Sequence, residues 1–192
     1  MLEFLRKPCR TLAIAAAMAA LHPGAGSADV RKMMVMCPGQ KLCAWYQSTV
    51  KAPKGWVEDK TLGEQKLVTM FTPDKPELGP ADPLIYVQTS LHPGPETLDE
   101  NIKKNQDLWR KSEPQGRITP MGTVARGGGK EPFQVFLYEN PTRPQQAFEK
   151  IAFALEKQPE GGVYILTVVD TASTRRAIDE SNDAFLAVLG GL

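Results

Sequence analysis

Proline punctuates this chain. It has sixteen prolines among 192 residues, and most of them fall in loop-like stretches between Pro53 and Pro144. A proline removes a backbone donor, so it stays out of helix interiors and central strands. Short runs rich in β-branched and aromatic residues lie between these breaks, at 32–36, 44–50, 56–58, 66–72, 84–89, 133–139, 148–155 and 162–170. Such runs predict strands. The last, GVYILTVVD, is apolar enough for a strand covered on both faces. Turn signals at 53–55, 127–129 and 160–162 separate the runs.

Two helices are predicted. Thr97 and Glu100 form a capping box, with Leu98, Ile102, Leu108 and Trp109 on one face and Pro114 as the stop. The second starts near Ser173 or Thr174 and runs to Leu189. It carries Ile178, Phe185, Val188 and Leu189 on one face, and Gly190-Gly191 end it. The expected fold class is α+β: a mostly antiparallel sheet flanked by two main helices.

The N-terminus reads differently from the rest. Arg6, Lys7 and Arg10 precede ten residues without a polar side chain, Leu12 to Leu21, and a small-residue stretch ends at Ala28. This is the layout of a secretory signal peptide, with cleavage after Ala28 and a periplasmic product. Ten apolar residues make a helix of only about 15 Å, half the hydrocarbon core of a bilayer. No membrane span is expected after cleavage. Residues 29–192 are then expected to form a single domain. Loss of the leader removes Arg6, Lys7, Arg10 and Glu3, so the formal net charge moves from +1 to −1. A near-neutral chain with 42% hydrophobic and 23% charged residues fits neither disorder nor a polybasic nucleic-acid binder.

Cysteine and histidine counts shrink with the leader. Cys37, Cys43 and His92 are left. Two cysteines in an exported chain predict a structural disulfide across a short loop. Met33, Met34 and Met36 lie beside them, and soft sulfur donors of this kind select monovalent copper. The competing reading has the methionines filling gaps in a core.

Enzyme signatures fail one by one. His92 sits in Leu-His-Pro-Gly-Pro, and the chain contains no G-x-S-x-G. Ser48 to Lys51 matches S-x-x-K, but the segment is β-branched and followed by Pro53, so it reads as strand. Gly127 to Lys130 lacks the first glycine and the final Ser or Thr of a phosphate loop. Asp74, Glu77 and Asp82 lack the alternating donors of a calcium loop. With His92 they mark two proline-rich loops, 72–83 and 90–96, as the expected binding face.

The order of several segments resembles the PsbP/DcrB-like superfamily: APKGWVEDK at 52–60, PLIYVQT at 83–89, TLDENIKKNQDLW at 97–109, YILTVVDT at 164–171 and the terminal FLAVLGGL. The resemblance covers about residues 48–192. It implies an α/β sandwich around an antiparallel sheet and no particular activity, since members are mainly small binding or accessory proteins. The expectation is therefore a non-enzymatic periplasmic accessory or protein-binding protein, with no cofactor and no nucleic acid. Its partner would be another envelope or secreted protein, such as a complex subunit or a toxin. The alternative is a carrier of a small hydrophobic ligand, or of copper through the Met/Cys segment.

Overall fold

The computed structural model describes residues 29–37, 41–75, 83–92 and 94–192. The proposed signal peptide, Glu77 and Asp82 lie outside the described residues, as does the side chain of Cys37.

A nine-stranded sheet dominates, and every strand pair in it is antiparallel. The chain enters through a hairpin of β1 (Val30–Cys37) and β2 (Lys41–Ser48). After β3 (Trp56–Glu58) and helix α1 (Lys60–Lys66) come β4 (Thr69–Pro73) and β5 (Leu84–Leu91). Helix α2 (Leu98–Ser112) leads into the meander β6 (Arg117–Val124), β7 (Phe133–Glu139), β8 (Phe148–Lys157) and β9 (Val163–Ala172). The short helices α3 (Arg175–Glu180) and α4 (Asn182–Gly190) follow. Spatial order is β1-β2-β5-β9-β8-β7-β6, with β4 sharing the outer side of β5 with β2 and β3 beyond it.

This corrects the expected sandwich with two main helices. Nine strands set the architecture, and among the described residues only α2 exceeds nine residues. The predicted C-terminal helix is two pieces, parted at Ser181. The Ser181 hydroxyl lies 2.6 Å from Asp170 Oδ2 and 3.1 Å from the Ile178 carbonyl oxygen. A serine that bonds locally in this way competes with the helix ladder. Leu108 is also misplaced by the sequence reading. It is 66% exposed, because it sits one residue, roughly 100° of turn, away from Trp109. Residues 60–66, of which only Lys66 falls in a predicted strand, at its start, form α1, whose N-cap Asp59 accepts from the Leu62 amide at 2.9 Å.

Alternation along β8 and β9 builds two cores. Ala152, Ala154, Leu166 and Val168 point to one face and meet Phe185, Val188 and Leu189 of α4. Ile151, Phe153 and Val169 point to the other and meet Leu98 and Ile102 of α2. Phe71, Ile85, Leu166 and Phe185 are fully buried. Each such side chain contributes about 2 to 3 kcal/mol of transfer free energy. Gln134 donates to Asp99 at 2.7 Å and helps fasten α2 over β7.

Candidate functional site

α2 covers β7, β8 and part of β9, and α1 lies beyond β4. Among the described residues nothing covers the strip of sheet between the two helices. Strand alternation sends Leu84, Tyr86, Gln88 and Ser90 of β5 into this strip. Gln88 and Ser90 are exposed although β5 is a central strand. The result is a groove with two halves that meet at Gln88. One half, about 440 Å³, lies under the first turns of α2, and its lining includes Gln88, Asn101, Asn105, Phe153 and Thr167. The other, about 360 Å³, lies toward α1, and its lining includes Leu62, Val68, Met70, Leu84 and Tyr86. Both volumes fall in the range of small-molecule sites.

The groove is nearly uncharged. Glu96 borders one end and is ion-paired with Lys104, and Lys66 borders the other. His92 Nε2 donates to the Glu96 carbonyl oxygen at 2.6 Å, so the ring is tied to the rim of the loop. Burial, with Glu149 nearby, pushes the Tyr86 hydroxyl up to about 12. It is a neutral phenol over the working pH range.

Groups with enzyme-like chemistry exist, but they are dispersed. Burial raises the Glu149 carboxyl and pushes Asp170 up to about 6. Glu149 lies opposite Thr171 and Asp170 opposite Lys150 in the β8–β9 register, so the two carboxyls belong to opposite faces of the sheet. Lys150, Asp170 and Ser181 are buried beneath the α3–α4 junction and line neither half of the groove. Lys150 also donates to Asn182 Oδ1 at 2.9 Å. A second buried cluster joins Arg126 to Glu156 and to the Leu192 carbonyl oxygen, with Lys130 3.1 Å from Glu156 Oε1. The Gly127–Gly129 turn thus delivers Lys130 to a structural ion pair.

Among the described residues singled out as site candidates from the sequence, only His92 borders the groove. Asp74 is exposed past the end of β4, where its amide donates to the Gly55 carbonyl oxygen. Met33 lines a separate cavity of about 300 Å³ with Trp45, Gln47 and Asp59. Met34 and Met36 project from the opposite face and are 57% and 68% exposed, so the three sulfurs are not brought together. Position 37 is one diagonal step from Cys43, which lies opposite Val35. Ser48 ends β2, buried, with its hydroxyl 2.7 Å from that of Thr89. The lining residues Gln88, Asn101, Asn105 and Thr167 were missed. Their one available signal was polar side chains at spacings of two and four within otherwise core-forming elements.

No protein-family model matches the chain, and neither does any curated protein. Nothing in those comparisons ties it to the PsbP/DcrB-like superfamily. Among the described residues no helix is long and apolar enough to cross a membrane.

Proposed function

We propose that this is a non-enzymatic binding protein of the periplasm, exported by its N-terminal segment and carrying a Cys37–Cys43 disulfide. Its working surface is the groove between α1 and α2. One observation supports the reading above others: Gln88, exposed at mid-sheet, borders both cavities that flank it, one toward α1 and one under α2. The mixed apolar and mostly uncharged lining suits binding, and the buried Lys150–Asp170 pair lines neither half of the groove.

A protein partner is the second reading, favoured by the β1–β2 hairpin. Met34, Met36 and Leu42 form an exposed apolar face on it, and a single register pair, Tyr46 with Thr89, joins β2 to β5.

The test is native purification of the chain from its own cells beside Gln88→Trp, which fills the groove at an exposed strand position. Mass spectrometry identifies what each carries. A species carried by the wild type and lost from the variant is the expected result. The same species on both, or none on either, contradicts the reading.

A further inference from the structure

The two halves of the groove differ in chemistry. The half toward α1 is bounded by the apolar side chains of Leu62, Val68, Met70 and Leu84. The half under α2 presents two side-chain amides from one helix face, Asn101 and Asn105, with the Thr167 and Ser90 hydroxyls across from them. Asn101 spends one donor on the Thr97 carbonyl oxygen at 3.1 Å, and Asn105 Oδ1 accepts from the Tyr138 hydroxyl at 3.4 Å, which leaves each amide at least one donor and one acceptor site for a ligand. Gln88 borders both halves.

An amide offers one acceptor and two donors, and a hydroxyl offers both roles. Such a set matches vicinal hydroxyls, which also donate and accept. A wholly apolar ligand would strip water from these groups and return no hydrogen bond, which costs affinity for each one left unpaired. An anionic head would want guanidinium or ammonium donors. At the amide end the neighbouring cation, Lys104, is already paired with Glu96, and Lys66, the cation that borders the groove, stands at the opposite, apolar end. A cationic head would want a carboxylate, and Glu96 is engaged in that same pair. A strand-like peptide gains its affinity at a sheet edge, whereas this groove crosses a sheet face.

We infer that the groove takes an uncharged amphiphile, with its hydroxyl-rich head at Asn101, Asn105 and Gln88 and its short apolar tail between α1 and β4. This rests on the groove being the binding surface and adds the chemical class of what it binds.

The test is calorimetric titration of the full chain with n-octyl-β-glucoside below its micelle concentration, beside glucose and n-octyl sulfate. Saturable binding of the glucoside is expected, with glucose and the sulfate at least about tenfold weaker. Gln88→Leu, which keeps the groove's shape, weakens the glucoside about tenfold and leaves the sulfate unchanged. Leu62→Trp, which closes the apolar end, abolishes glucoside binding. If that variant does not fold, as thermal melting would show, the ligand series and Gln88→Leu decide alone. The inference is overturned if the sulfate binds as well as the glucoside, if the glucoside does not saturate, or if Gln88→Leu changes nothing. Should the inference fail while native cargo still depends on an unfilled groove, only the ligand class falls and the groove remains the binding surface.

Discussion

Lys150 and Asp170 face each other across β8 and β9, 3.9 Å apart, with the Ser181 hydroxyl donating to Asp170 from the α3–α4 junction. Burial lowers the lysine's pKa and raises the aspartate's to about 6. Lys150 and the Ser181 hydrogen bond pull Asp170 the other way without overcoming burial. The folded chain therefore holds this proton more tightly than the unfolded one, whose aspartate titrates near 4. The penalty of ionised Asp170 is complete above pH about 6 and fades as the pH falls toward about 4. Denaturant unfolding should show the wild type gaining about 1 kcal/mol on Asp170→Asn between pH 7 and pH 5. A stability gap that stays constant over that range would refute the assignment. None of this was legible in the sequence. Asp170 reads there as the last residue of a strand, and Ser181 as an ordinary helix position. Their pairing exists only once the chain has turned back on itself.

At the scale of elements, local signals were read well and non-local ones poorly. The α2 capping box is present in full: Thr97 Oγ1 accepts from the Glu100 amide at 3.3 Å, and Glu100 Oε2 accepts from the Thr97 amide at 2.7 Å. Both partners lie within one turn, so four residues specify it. Thr97→Ala should cost about 1 kcal/mol of stability in chemical denaturation. Because α2 holds Asn101 and Asn105, the same change loosens one wall of the groove. A variant as stable as the wild type would mean that α2 is held by tertiary contacts alone. Strand β6 is the opposite case. Pro120 and Gly122 look like loop, yet β6 is an edge strand with a register shift between them, and Gly122 has φ 93°. An edge tolerates a missing donor and a bulge. Whether a strand is an edge depends on its neighbours, which its own residues do not record. Gly116 shows the same limit: a Cβ there would stand 2.1 Å from the Trp109 ring, a contact between helix and loop that no local pattern announces.

For the whole molecule, runs of β-branched and aromatic residues sufficed to predict strands, and the order of strands and helices pointed to a mostly antiparallel sheet. The sequence pattern stopped there. It did not reveal that the helices are too few and too short to cover that sheet. The groove is a consequence of this incomplete cover, and so its lining was invisible residue by residue. Gln88 reads as a polar residue in a strand, and only the gap between α1 and α2 exposes it in the proposed groove. The proposed function depends on the groove being the place where ligand is held. The most direct measurement is amide chemical-shift mapping of the full chain during titration with n-octyl-β-glucoside below its micelle concentration. Saturable shifts concentrated at 62–70, 84–92, 101–105 and 165–167 are expected. Shifts confined to the β1–β2 hairpin, or spread evenly over the surface, would contradict it.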